Sequence, residues 1–247
     1  MKRPVALLML LALLCSLTAC GGNPTTQSDS DVPESSQNTE EITDAPLDTD
    51  PPASSRSSGE TGNNNILIAY FTWADNTAVE DPSSVDVDAT TSASVLAPGN
   101  AAKLAFWIQQ EVGGDLHSIV VEEPYSSDYD QCLDRAADEK ADNARPALAS
   151  HVDNMEDYDI VFLGFPNWWY TLPMPVLTFV EEYDWSGKTV VPFVTHGTAG
   201  LSSTIRDLTA ALPEDVTILD PIGVYRPEVD DSQPAVQAWI AGLDLEV

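Results

Sequence analysis

Beyond residue 65 the chain alternates between short, continuously apolar runs and longer stretches with an apolar residue at every third or fourth position. The apolar runs are ILIAYF (66–71), DLHSIVVE (115–122), YDIVFLGF (158–165), KTVVPFVTHG (188–197) and VTILDPIGV (216–224). Runs of this length, rich in β-branched residues, predict strands buried on both faces. NAAKLAFWIQQEV (100–112) puts Ala101, Leu104, Ala105, Ile108 and Val112 on one helical face. Asn100 stands where it can cap that helix and Gly113-Gly114 where they stop it. SSDYDQCLDRAADEKADNARPALAS (126–150) predicts a polar helix with a weak apolar stripe of Tyr129, Leu133 and Ala136 or Ala137. Further helices start near Met174, cover LSSTIRDLTAAL (201–212) with Ser202 or Ser203 near the cap, and cover SQPAVQAWIAGL (232–243). The last groups Val236, Trp239, Ile240 and Leu243 on one face. Strand and helix in alternation predict an α/β domain over 66–247, a doubly wound five-stranded parallel sheet with helices on both faces. In such sheets ligands bind outside the carboxyl ends of the strands, where the strand order reverses.

The first 65 residues lack this pattern. Lys2 and Arg3 precede VALLMLLALLC (5–15), an apolar run too short to span a bilayer comfortably. LTAC (17–20) resembles the lipobox of bacterial lipoproteins. That resemblance implies a signal peptide over 1–19, cleavage before Cys20, lipidation of Cys20, and a protein held outside the cytoplasm on a membrane face. Residues 20–65 are rich in Ser, Thr, Asp, Glu, Pro and Asn and predict a disordered acidic linker. Of the three cysteines, Cys15 leaves with the signal and Cys20 takes the lipid. Cys132 then has no partner for a disulfide, and the domain must stand on its core. The formal charge of −30 argues against nucleic acid as a partner.

Three segments follow predicted strands and would meet at one edge of the sheet: FTWADNT (71–77), FPNWWYTLP (165–173) and THGTAGLSS (195–203). The middle one poses a question, because two tryptophans and a tyrosine either cover an edge of the core or hold a flat ligand. Together the three resemble the flavodoxin-like, FMN-binding family, in a lipoprotein-anchored branch that reads roughly ILIAYFSWSGNT, G-x-P-x-W-W-x-x-x-P and T-H-G/S-G-x-G. The resemblance covers nearly all of 66–247 and implies strand order 2-1-3-4-5. It also implies FMN, with Trp168, Trp169 and Tyr170 flanking the flavin beside Asn167, and Pro166 and Pro173 stiffening the loop. Backbone groups of Thr195, His196, Gly197 and Gly200 would meet the ring edge. One departure stands out. The family's phosphate loop has Gly-Asn-Thr, whereas this chain has Asp75-Asn76-Thr77 followed by an insertion. A carboxylate repels a phosphate. The expectation is therefore that the later turn, Gly99-Asn100-Ala101, takes the phosphate with help from Thr72 and Trp73. The alternative is that phosphate binding is lost.

The insertion contains DATTSAS (88–94), which resembles the acceptor motif of bacterial FMN transferases at Asp88, Thr91, Ser92, Ala93 and Ser94. That implies a phosphoester between FMN and Ser94, the alternative being an unmodified Ser/Thr loop. Other chemistries lack a pattern. There is no Gly-x-Ser-x-Gly elbow, and His117, His151 and His196 lack zinc-ligand spacing, so neither a metal site nor catalytic residues are assigned. His196 either reaches the flavin or is a satisfied loop histidine. Three functions stay open: an electron carrier meeting a redox partner protein or a small electron acceptor, an FMN-dependent quinone or nitro-compound reductase, and a flavin-free binding lipoprotein.

Overall fold

The computed structural model describes residues 65–86 and 94–245. The expected signal peptide, Cys20, linker residues 20–64 and Asp88 to Ala93 of the transferase-like motif lie outside them. These residues form six strands: β1 (Ile66–Tyr70), β2 (Asp115–Ser118), β3 (Ile160–Pro166), β4 (Thr189–His196), β5 (Thr217–Ile218) and β6 (Ile222–Tyr225). Among the described residues five α-helices accompany them: α1 (Asn100–Val112), α2 (Tyr129–Ala141), α3 (Met174–Glu182), α4 (Thr204–Ala211) and α5 (Gln233–Gly242). The sheet runs β2-β1-β3-β4-β5, with β6 also on β4, and every pairing is parallel. This is the doubly wound order 2-1-3-4-5 expected from the resemblance.

Strand residues alternate between two cores because successive side chains leave opposite faces of a sheet. Leu67, Ala69, Phe71, Val161, Leu163 and Phe165 pack with Val176 and Phe179 of α3 and Leu208 of α4. Ile68, Tyr70, Phe162 and Val191 pack with Leu104, Ala105 and Ile108 of α1 and Val236 of α5. In β3, Gly164 has no room for a side chain: a Cβ there would sit 1.9 Å from the Phe193 ring.

The elements differ from the expected ones in three places. The fifth strand arrives in two pieces around Asp220-Pro221, β5 pairing with the start of β4 and β6 with its end. Proline has no N–H to give the ladder. The second strand stops at Ser118, and Val121 instead forms an antiparallel bridge to Leu148. That bridge needs extended chain, so α2 ends at Ala141 rather than near 150, before Pro146. The N-cap of α1 is Gly99, with Asn100 the first helical residue.

Candidate functional site: a cleft at the carboxyl ends of the strands

The ends of β1, β3, β4 and β6 open on a cleft of ≈ 740 Å³, counting the space open to solvent. Thr72 follows β1, Asn100 and Ala101 begin α1, Pro166 and Asn167 end β3, and Thr195 to Gly197 end β4.

On one side of the cleft, β1 meets the start of α1. Thr72 is buried, and a Cβ added at Gly99 would lie 1.7 Å from its Oγ1, so only glycine fits the N-cap. No side chain caps α1. The first N–H groups of a helix have no carbonyl within it, and with the helix dipole they favour an anion. Asp75-Asn76-Thr77 is used differently. Asn76 is buried, and its Nδ2 donates to Thr72 O (2.9 Å) and Ile119 O (3.0 Å). Its Oδ1 accepts from Val121 N (2.8 Å). Thr77 Oγ1 donates to Tyr125 O (2.8 Å), and Asp75 accepts from Ser118 Oγ (2.6 Å). None of these three residues lines the cleft. Burial first, and the Asp75 charge second, push the Tyr70 phenol pKa up.

The aromatic wall divides its work. Trp73 is a core residue whose indole N–H donates to Ser126 O (3.1 Å) and whose ring tilts against Tyr129. Trp168 stands edge-on to Phe71 and Tyr125, with ring centroids 5.3 Å from each, and also lines the cleft. Two reciprocal backbone hydrogen bonds join Trp168 to Thr171. Between them Trp169 (φ 49°) and Tyr170 (φ 68°) both lie in the left-handed region. This is the signature of a type I′ turn, which normally takes Asn or Gly. Trp169 is exposed, donates its indole N–H to Leu133 O (3.0 Å), and its carbonyl accepts from Lys140 Nζ (2.6 Å). Those bonds fix one wall of the cleft to α2. The two readings of the tryptophan pair therefore divide: Trp168 covers an edge of the core, and Trp169 forms wall.

The structure brings together Thr72, Trp73, Asn100, Ala101, Pro166, Asn167, Trp168, Trp169, Thr195, His196 and Gly197. Four expected residues do not line the cleft. Tyr170 is 61% exposed at the tip of its turn. Gly99 packs against Thr72. Gly200 holds Asn167 by accepting from its Nδ2 (2.6 Å). Ser94, half-buried with φ 58°, precedes the buried Val95. Asn167 Oδ1 is buried without a partner among the described residues. His196 Nδ1 lies 2.7 Å from Gly197 O. A carbonyl only accepts, so Nδ1 donates this bond.

Sequence reasoning missed five lining residues. Tyr129, Cys132, Leu133 and Ala136 come from α2 and Arg226 from the turn after β6. The weak apolar stripe expected on α2 puts Tyr129, Leu133 and Ala136 on the cleft. Burial pushes the Cys132 thiol pKa up to about 12, so it stays protonated and a poor nucleophile. Behind Trp168, Tyr125 donates to Glu139 Oε2 (2.6 Å) while the Arg135 guanidinium lies over its ring at 4.0 Å. Burial, then Glu139, raise the Tyr125 pKa. No group of three or more His, Cys, Asp or Glu among the described residues could hold a metal ion.

The model of the family Flavodoxin matches residues 87–237. Among solved structures, a protein from Bacteroides eggerthii assigned as a flavoprotein is 29% identical, covers 74% of this chain and 100% of its own, and superposes with a TM-score of 0.56. A second so assigned, from Bacteroides uniformis, is 25% identical, covers 72% of this chain and 99% of its own, and has a TM-score of 0.53. No curated protein matches this chain.

Proposed function

The chain belongs to the flavodoxin family, and from that premise we propose that it binds FMN in the cleft at the strand ends and transfers electrons through it. The observation that carries this reading is a conjunction in one cleft: uncapped helix N–H groups beside a wall of flat aromatic side chains. FMN asks for both. Its phosphate would take the amides of Asn100 and Ala101 and the Thr72 hydroxyl. Its ring would lie against Trp169 and the exposed part of Trp168. The ring carries one N–H, and Asn167 Oδ1 is a buried acceptor lacking a donor. The residues present fit the group. When bound, FMN supplies the redox chemistry, and the chain binds, orients and surrounds it. The relatives assigned as flavoproteins support the same reading.

Electron transfer to a partner protein or a small acceptor is the activity proposed. Quinone or nitro-compound reduction is the second reading, which needs a substrate pocket over the ring. LTAC supports a lipid anchor at Cys20 and a place outside the cytoplasm, with 20–65 as tether to a domain over 66–247. DATTSAS supports a covalent phosphoester at Ser94. The test is to express residues 21–247 for export, with and without an FMN transferase, and record visible spectra before and after denaturation and filtration. Yellow colour that washes out of the denatured chain establishes a non-covalent flavin site. Colour that stays, and is lost in Ser94→Ala, establishes the ester. A colourless protein that ignores added FMN sinks the proposal. Rapid oxidation of a nicotinamide dinucleotide in the presence of a quinone would move the reading from carrier to enzyme.

A further inference from the structure

In a chain with 40 acidic and 10 basic residues, nearly every cation should find a carboxylate. Most do. Lys103 pairs with Asp230, Arg135 with Glu139, Arg145 with Glu181 and Arg206 with Asp207. Lys140 and Lys188 donate to backbone carbonyls. Arg226 is half-buried, and its side chain has neither an ion pair nor a hydrogen bond among the described residues. Glu228, Asp230 and Asp231 share its turn and leave it unpaired.

The surroundings of Arg226 explain what it waits for. It lines the strand-end cleft, and no residue lining that cleft is Asp or Glu. Other grooves of the molecule are rich in carboxylates: one carries Glu122, Glu123, Asp138, Glu139 and Asp142 beside Arg135 and Arg145. Another carries Glu80, Asp81, Asp86 and Asp128. Keeping carboxylates out of one cleft of a strongly acidic protein, and leaving an arginine there without a counter-ion, makes a place for an anion. A half-buried charge without a partner is costly, and a ligand anion removes that cost.

The position is built rather than incidental. The guanidinium packs along Gly197, where an added Cβ would lie 3.2 Å from Nη1 and 3.4 Å from Cζ. The turn that Arg226 opens is tied to the first turn of α1 by Lys103–Asp230 (2.5 Å). The arginine and the uncapped start of α1 are thus held on the same cleft. Arginine presents a planar fork of donors that matches phosphate oxygens.

We infer that Arg226 is the counter-ion of the ligand's phosphate, so that the cleft selects FMN over riboflavin, which has the same ring but no phosphate. The inference rests on the proposed FMN site and adds a charge-based selectivity to it. The test is a flavin-fluorescence titration of wild type, Arg226→Gln and Arg226→Lys with FMN and with riboflavin, at low and high salt. Circular dichroism and thermal melting check the fold of each variant. In Arg226→Gln, FMN affinity should fall on the order of 10- to 100-fold, riboflavin affinity should hold, and the salt dependence of FMN binding should shrink. Arg226→Lys should keep part of the preference, and it carries the test should the glutamine variant not fold. Equal losses for both flavins, or no loss for either, overturn the inference while leaving the FMN site standing. Wild type that binds neither flavin overturns the FMN site, and this inference with it.

Discussion

The long connection between β1 and α1 contains two turns built from similar residues, Asp75-Asn76-Thr77 and Gly99-Asn100-Ala101, and the fold treats them in opposite ways. In the first, the asparagine amide is buried and spends its two donors and its acceptor on Thr72, Ile119 and Val121. It is a clamp between the end of β1 and the chain leaving β2. In the second, the asparagine opens a helix whose amides are uncapped and face a cleft. What separates the turns is whether neighbouring backbone consumes the polar groups. The first has nothing left to offer a ligand. The second has little else to do.

Removing the clamp should have the largest effect. Asn76→Ala leaves Thr72 O, Ile119 O and Val121 N without their bonds in a buried place. A loss of about 3–5 kcal/mol in urea unfolding is expected, with the flavin affinity of the folded fraction unchanged. A loss below about 1 kcal/mol would contradict the clamp. Next comes Gly99→Ala, whose new Cβ would overlap Thr72 Oγ1 and sit 2.9 Å from Thr72 Cβ. The helix start must shift, so FMN affinity should fall about tenfold, with a smaller cost in stability of roughly 1–2 kcal/mol.

A third turn sharpens the contrast between residues that hold the fold and residues that form the cleft. Trp169 and Tyr170 occupy left-handed backbone that Asn and Gly adopt more readily. The double change Trp169→Asn with Tyr170→Gly should therefore stabilise the protein by about 1 kcal/mol while weakening FMN binding. If stability and binding fell together, the turn would be ordinary scaffold. The smallest mutational effect is expected at Asp75→Asn, which trades one partly exposed hydrogen bond and should stay within about 0.5 kcal/mol. It should also lower the Tyr70 titration slightly, since Asp75 is the second cause of its rise. Tyr70, Tyr125 and Tyr183 all have raised pKa values, chiefly through burial. Each contributes stability that is complete below the unfolded tyrosine pKa of about 10 and is lost as the pH climbs toward the folded value. Alkaline unfolding should begin near pH 10, and at slightly higher pH in Tyr125→Phe than in wild type.

Much of this architecture is legible in the chain. The bounds of α1 follow from its apolar period and from Gly113, and β3 from the run YDIVFLGF to within two residues at its start and one at its end. What escaped depends on contacts between distant segments. The Asp75 carboxylate argues its turn out of the phosphate site, but what Asn76 does instead shows only when Ile119 and Val121 are seen to lie within reach of its amide. The weak stripe on α2 does not reveal that Tyr129, Leu133 and Ala136 line the cleft. Trp169-Tyr170 carries none of the glycine or asparagine that normally announces such a turn. Arg226 reads as one more surface cation after a strand, and nothing in its neighbours along the chain says that it lacks a counter-ion.

The central claim is that the second turn, not the first, meets the phosphate of FMN, and Asn100→Asp tests it most directly. A carboxylate in the first turn of α1 complements the helix dipole, so thermal stability should hold or rise slightly. The same carboxylate would face the phosphate, so FMN affinity should drop at least tenfold. Asp75 already supplies a carboxylate at the first turn without lining the cleft. Stability maintained with FMN binding lost is the predicted result. FMN bound as tightly by Asn100→Asp as by wild type would contradict the account.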